Sequence, residues 1–428
     1  MVIFEDIPNG KNVIINRPEK LNCLNYEVIV QMLRMFEVYE NDPTIKFLIL
    51  KGNGRAFCSG GDVTALMMLV SAGYWSFGAN FFLKQYSLDY LLGTYKRPLI
   101  ALLDGIVMGG GAGLSLNAIF RIVTENTVFA MPETSLGSIP DVGSSYFLSR
   151  LPSNFGNIIQ SETLSVALIG VRLNGIEMVK CGLATHYILS KDLASLENAL
   201  SMMSSYDART RKTISEIINK FENGKTIKRE NTYSSAQLES INTCFSQEDV
   251  EDILLSLENL ATFSHEKWIR DAIKSLKCAS PLCLKLALKL IRQGRHEKLH
   301  QCLAREHLVV SHLLRRTVND DFYEGPRAML IDKDKKPQSL SICFVHALEM
   351  DMNNLKSRVS YHQIGIAKPS DIEWYHTNNL CVGHTRCYMK FSIDSSKESS
   401  GEDVVSTEHA VGKRLSAGKA TELIGRRP

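Results

Sequence analysis

MGGGAGLSLNAIFRIVTENTVFAMPETSLGSIPDVGSSYF, residues 108–147, is the stretch on which the reading of this chain turns. An apolar, strand-like run delivers three consecutive glycines, Gly109, Gly110 and Gly111, and a helix-like run follows them. A helix that begins on glycine leaves its first backbone N–H groups unpaired and unshielded, a setting for an anion or a developing oxyanion. Downstream, Glu133 and Asp141 stand among Pro132, Gly137 and Pro140, with small or apolar neighbours in place of other charges. Carboxylates kept only for solvation rarely sit in such company.

Upstream, the chain reads strand, helix, strand. Residues 13–16 are strand-like, Asn25 can cap a helix in which Val28, Met32, Met35 and Tyr39 recur at helical spacing, and 47–50 is a short apolar run suited to a strand buried on both faces. The segment GNGRAFCSGGD, 52–62, follows directly, where an open α/β sheet presents its ligands, and forms a second functional loop. Residues 63–95 read as one helix, and 98–103 as another buried strand leading to the triple glycine. Two glycine loops at two strand ends can bring two amides, those of Gly61 and Gly110, onto one carbonyl oxygen.

Downstream, 146–151 reads as a short helix, Arg172-Leu173-Asn174-Gly175 as a loop and 190–275 as a polar, charge-mixed helical layer. Ser280-Pro281 opens a helix with Leu282, Leu286 and Leu290 at four-residue spacing, ending at Gly294. Leu299, Leu303, Val310 and Leu314 mark a second, and the short connection makes the two a helical hairpin. After Pro337 apolar periodicity fades, and 392–428 has the composition of a solvated tail. The expected organisation is an α/β core at 1–190, a helical region at 191–338 and a poorly ordered tail at 339–428.

Composition bounds the function. With 428 residues, 44% hydrophobic and 22% charged, and a net charge of +3, the chain is an ordinary globular protein without the basic balance of a nucleic-acid binder. No apolar run approaches the roughly 20 residues of a membrane span. Ten cysteines scattered without a framework, several in apolar segments, point to buried thiols in a reducing compartment and to no structural disulfides. Met1 leads almost directly into strand-like sequence, which leaves no room for a cleavable presequence.

Several residues also have plainer readings. Asp141 can be the N-cap of a helix starting at Val142, and Asp62 orders its own loop. His186, flanked by Leu183-Ala184 and Tyr187-Ile188, reads as a satisfied core histidine. Arg292, Arg295, His296 and Lys298 form a solvated helix end. The spacing of His376, Cys381, His384 and Cys387 matches no common zinc ligand set, so no metal is expected.

NRPEKLN at 16–22, GRAFCSGGD at 54–62, MGGGAGLS at 108–115 and MPE at 131–133 together resemble the crotonase (enoyl-CoA hydratase/isomerase) superfamily, over residues 2–338. MPETSLGSIPDVGSSYFLSRLP, RLNG, ATHYI, SPLCLKLALKLIRQGR and FYEGPRAMLIDKDKKP resemble its 3-hydroxyisobutyryl-CoA hydrolase family, plant forms above all. The resemblance implies an α/β fold, the ClpP/crotonase spiral of β-β-α repeats, followed by a helical C-terminal region. It implies hydrolysis of an acyl-CoA thioester in valine breakdown, in mitochondria or peroxisomes, with no cofactor beyond the CoA of the substrate and with oligomers open. Gly61 and Gly110 would hold the thioester carbonyl, Glu133 would be the catalytic glutamate and Asp141 the second acid. Ala56 and Ser59, with Gly61, would contact CoA through the backbone. The hydratases of the superfamily use two glutamates, and the first would fall at Gly113, which argues against hydration. A Δ3,Δ2-enoyl-CoA isomerase working through Glu133 alone, and a non-catalytic subunit such as a mitochondrial ribosome-associated relative, stay open. The family's Trp-Pro-containing terminal segment has no counterpart after Ser339.

Overall fold

Phe47 and Ile49 face one apolar cluster and Leu48 and Leu50 face another, because successive side chains of a strand point to opposite faces. This strand therefore lies between two layers. The computed structural model describes residues 1–151, 158–204, 211–223, 235–337, 374–376 and 387–389.

The core elements, in order, are β1 (Val2–Ile7), β2 (Gly10–Ile15), α1 (Tyr26–Asn41), β3 (Phe47–Gly52), β4 (Ala56–Cys58), α2 (Val63–Ser71), α3 (Trp75–Gly93), β5 (Leu99–Leu103), β6 (Ile106–Met108), α4 (Gly110–Leu116), β7 (Phe120–Val123) and β8 (Val128–Ala130). They are followed by α5 (Ser144–Phe147), α6 (Ile158–Ile169), β9 (Leu173–Asn174), α7 (Gly175–Lys180) and β10 (His186–Tyr187). The larger sheet has the order β1-β2-β3-β5-β7-β10 and is parallel beyond the β1–β2 hairpin. The smaller sheet has the order β4-β6-β8-β9, parallel except for β9. Each repeat thus gives one strand to the larger sheet (β3, β5, β7) and the next to the smaller (β4, β6, β8) before a helical segment returns the chain. This is the crotonase-like spiral of β-β-α repeats that the resemblance implies. Because β4, β6 and β8 run parallel, the segments that leave them emerge side by side: Ser59-Gly60-Gly61, Gly109-Gly110 and Pro132-Glu133.

Further helices are α8 (Leu193–Ser201), α9 (Arg211–Phe221), α10 (Ser235–Phe245), α11 (Val250–Phe263), α12 (Lys267–Cys278), α13 (Pro281–Gly294), α14 (Leu299–Leu314) and α15 (Asp321–Pro326). Leu196 and Leu200 of α8 and Ile214 and Ile218 of α9 cover the outer face of the larger sheet, on Ile49, Ile100 and Ile122. α13 packs on α5, α14 lies along α3, and α15 meets the 3-10 turn Glu133–Leu136. Ser280 caps α13 by accepting the Cys283 N–H, and Asn25 caps α1 by accepting the Val28 N–H. No described helix is long and apolar enough to cross a membrane.

The structure differs from the sequence reading in places. Residues 63–95 are two helices. Gly73 takes φ 94° and the Tyr74 N–H reaches back to the Leu69 carbonyl, so the first helix closes on a left-handed residue. The helix expected at 146–151 begins at Ser144 and passes into a 3-10 turn at Leu148–Arg150. Asn174, read as loop, pairs in β9 and caps α7 through a reciprocal bond with Glu177. Residues 374–376 pair antiparallel with 387–389, which sets His376 opposite Cys387. Cys381, His384 and the tail expected at 392–428 lie outside the described residues.

One contact ties the first repeat to the site. Buried Asn22, at φ 56°, accepts the Arg17 N–H (2.8 Å) and donates to the carbonyls of Asn53 (2.9 Å) and Ala56 (2.6 Å) at the base of the first glycine loop. Asn22→Ala leaves these groups unpaired and should cost about 2–4 kcal/mol in urea denaturation; a loss under about 1 kcal/mol would contradict this.

Candidate active site

The three parallel strand ends enclose a cavity of about 90 Å³, lined by Ser59, Gly60, Gly61, Gly109, Gly110, Pro132, Glu133, Ser138, Asp141 and Val142, and by Phe81, Phe82, Gln85 and Phe322 from the helices. Two loop glycines, Gly61 and Gly110, line it. Leu24 bridges the first loop by donating its N–H to the Gly60 carbonyl and accepting the Asp62 N–H, both at 2.8 Å, so the Gly61 N–H falls outside that ladder. Gly110 opens α4, and a first helical residue has no partner for its N–H within the helix. A Cβ built on Gly110 would lie 3.4 Å from the Gly61 nitrogen, so the two glycines face each other.

Gly109, between them, adopts φ 50°, and a Cβ there would come within 2.8 Å of Glu133 Oε1. Only glycine lets the glutamate come this close to the amide pair. Glu133 is buried, and its Oε2 has no hydrogen-bond partner among the described residues. Burial pushes its carboxyl well above the usual range, and the neighbouring Asp141 charge pushes it further. Asp141 is pushed up to about 6, again by burial, while the hydrogen bond from the Tyr86 hydroxyl, at 2.6 Å to Oδ2, pulls the other way. Two acids with raised affinity for protons thus share one cavity, and they titrate as a pair.

α3 forms the far wall. Gln85 lines the cavity and is buried; its Nε2 donates to Asp89 at 3.2 Å, and its Oε1 has no partner among the described residues. Asp89 is wholly buried and held well above its usual pKa, by burial first. A Cβ on Gly113 would meet Val142 Cβ at 2.6 Å and Asp89 Oδ1 at 2.8 Å, so this position has no room for a carboxylate side chain.

Of the residues singled out in the sequence, Gly61, Gly110, Ser59, Glu133 and Asp141 meet at the cavity. Ala56 does not line it: it lies in β4, and its carbonyl is taken by Asn22. Asp62 caps α2 by accepting the Ala65 N–H (3.3 Å) and pairs with Arg17 (3.2 Å). His186 is buried and satisfied at both ring nitrogens, by Thr185 (2.8 Å) and Asn219 (3.1 Å), as its sequence setting implies. The reading of Asp141 as a helix cap needs correction. Its side chain serves Tyr86, the helix starts three residues on, and the N–H groups of Gly143 and Ser145 go to Glu306 instead. Tyr86, Gln85, Asp89 and Glu306 were not singled out; the one available signal was a polar or acidic residue on a helix face otherwise apolar.

The family described as enoyl-CoA hydratase/isomerase matches residues 11–340. The chain is similar to 3-hydroxyisobutyryl-CoA hydrolase 1 of Arabidopsis thaliana, at 45% identity over 337 residues, 79% of this chain and 86% of that protein. It is similar to small ribosomal subunit protein mS47 of the same plant, at 37% identity over 337 residues, 79% of this chain and 80% of that one. The crystal structure of an enoyl-CoA hydratase from Rhodobacter sphaeroides shares the fold, with a TM-score of 0.67 at 23% identity, covering 84% of this chain and 97% of that one.

The buried acids have a stability signature. Asp141 loses its proton near 6 in the folded chain against 3.8 ordinarily. Between those values the unfolded chain binds fewer protons, so stability is full below the lower value and falls as pH rises through the upper one. Asp141→Asn should therefore gain about 1–3 kcal/mol over the parent at pH 8 and nothing at pH 3.5, read from thermal melts at both pH values. An equal change at both would show that the burial is not felt.

Proposed function

We propose that this chain, which belongs to the enoyl-CoA hydratase/isomerase family, hydrolyses 3-hydroxyisobutyryl-CoA to the free acid and coenzyme A. The observation that carries this reading is Glu133, with an oxygen that has no partner among the described residues, in one cavity with the two loop glycines and a second acid, and with Gly113 closed to the other carboxylate of a hydratase.

In this reading the thioester carbonyl oxygen lies between the N–H groups of Gly61 and Gly110. Glu133, once ionised, takes a proton from water as the hydroxide oxygen adds to the carbonyl carbon. Negative charge moves onto the carbonyl oxygen, where each well-placed amide contributes on the order of 3 kcal/mol to the transition state. The tetrahedral adduct collapses by breaking the C–S bond, and the proton held by the acid pair goes to the departing thiolate. Asp141, with the Tyr86 hydroxyl donating to Oδ2, gives up its proton near 6, so near neutral pH its negative charge raises the proton affinity of Glu133. Direct attack by Glu133, giving a mixed anhydride that water opens, would use the same groups. Ser59 next to the amide pair suits backbone contact with the thioester arm of CoA; Ala56, set back in β4, would act by supporting that loop. Gln85 Oε1 is a buried acceptor without a donor, which suits the hydroxyl of a 3-hydroxyacyl group. We assign the activity to mitochondria or peroxisomes on the resemblance to the hydrolases.

The test is release of free CoA, followed with a thiol reagent, from 3-hydroxyisobutyryl-, 3-hydroxypropionyl- and isobutyryl-CoA. An isomerase would release none, and no turnover on any of the three would favour a non-catalytic subunit. Glu133→Gln should lower kcat by roughly 10²- to 10⁴-fold, and full activity in that variant would refute its role. Gln85→Leu should shrink the preference for the hydroxylated substrate over isobutyryl-CoA by roughly 10-fold or more, and an unchanged ratio would exclude Gln85 from recognition.

A further inference from the structure

We propose that Glu306, on α14 outside the β-β-α core, is the positioning residue for Asp141: it holds the strained turn that carries the Asp141 carboxyl into the cavity. The inference rests on the reading of Glu133 and Asp141 as the acid pair.

The turn is unusual in its backbone. Val142, directly after Asp141, takes φ 55° and Gly143 takes φ 84°. A β-branched side chain is strained in that left-handed region, and such strain persists only where the surroundings over-determine it. In that conformation the Val142 Cβ lies over Gly113, 2.6 Å from where a Cβ there would sit. What fixes the turn from behind is Glu306. Its wholly buried carboxylate accepts the Gly143 N–H at 2.7 Å, the Ser145 N–H at 3.1 Å and the Ser145 hydroxyl at 2.5 Å. Three donors converge on two oxygens, a task for an acceptor-only group; a glutamine would turn an NH₂ toward one of them. Burial pushes this acid up to about 7 although its donors pull it down, so the site tolerates an acid that is costly to bury.

The next residue completes the hold. His307 sets its ring edge-on to Tyr86, with centroids 6.0 Å apart and an interplanar angle of 88°, and its Nε2 donates to the Ala79 carbonyl at 2.9 Å. Tyr86 in turn donates its hydroxyl to Asp141. Consecutive residues of one helix therefore fix Asp141 twice, Glu306 through the backbone and His307 through the Tyr86 side chain. The helical region is in this way part of the site's geometry.

The test is a cycle on the full chain: Glu306→Gln, Asp141→Asn and the double variant, with kcat, KM, pH profile and thermal melts for each. Glu306→Gln is expected to lower kcat by roughly 10-fold or more, with KM within about threefold. It should move the acid limb of the profile to lower pH, as the loosened turn hydrates the pair, and it should add little to Asp141→Asn. Loss of activity that adds in full to Asp141→Asn, or that follows the fall in melting temperature with the pH limb unmoved, would reduce Glu306 to fold support and overturn the proposal. Full activity in Asp141→Asn alone would instead overturn the acid-pair reading on which the proposal rests. Should Glu306→Gln fail to fold, Ser145→Ala, which removes one donor and keeps the acid, decides: a smaller loss of kcat in the same direction supports the proposal, and none refutes it.

Discussion

Burial of carboxyl groups with no cationic partner among the described residues is the constraint around which this molecule is arranged. Water would stabilise Glu133 and Asp141 as anions, yet the chain withdraws both from it, and the first cause of each raised affinity for protons is that withdrawal. Such groups are tolerable only in a rigid frame with few alternatives. The frame here is the parallel run of β4, β6 and β8, whose ends deliver two glycine loops and the Pro132-Glu133 turn to one place. In the proposed function, the amides of the first two loops complement the charge that develops on a substrate oxygen, and the acids exchange protons.

The frame is finished from outside the spiral. α3 supplies Gln85, Tyr86 and Asp89 within two helical turns, and α14 presses on α3 while Glu306 reaches past it to the segment after Asp141. Phe322 at α15 closes the cavity on another side. A core of repeats alone would therefore leave the second acid on an unsupported turn. Buried acids at Asp89 and Glu306, each with raised affinity for protons, lie near Glu133 and Asp141, so the region as a whole trades stability at high pH for position.

How much of this was legible in the sequence follows from the range of the interactions. The glycine loops, the isolated Glu133 and Asp141 and the caps at Asn25 and Ser280 are local, set by residues within a few positions of one another, and they could be read directly. The break at Gly73 leaves no local mark because the apolar pattern continues on both sides of it. Tyr86 and Gln85 were hidden because α3 is buried against α1 on one side and α14 on another, so its polar residues carry no periodic signal. Glu306 was hidden for the same reason, among Leu303, Val309 and Val310. Asp141 reads as a cap because Asp before a short helix is the usual local solution. The acceptor that serves those N–H groups comes from 163 residues further along the chain, beyond the reach of any local rule.

Gly113 joins these threads. An acid at that position would give the cavity a second carboxylate opposite Glu133, the arrangement that adds water across a double bond. Here the volume is already occupied by Val142, on the strained turn, and by Asp89, which reaches in from α3 and spends its hydrogen bonds on Gln85. The same turn that brings Asp141 into the cavity therefore excludes the competing chemistry. A relaxed turn would move Val142 off Gly113 and Asp141 away from Tyr86 together, so specificity for the reaction and placement of the second acid rest on one backbone conformation.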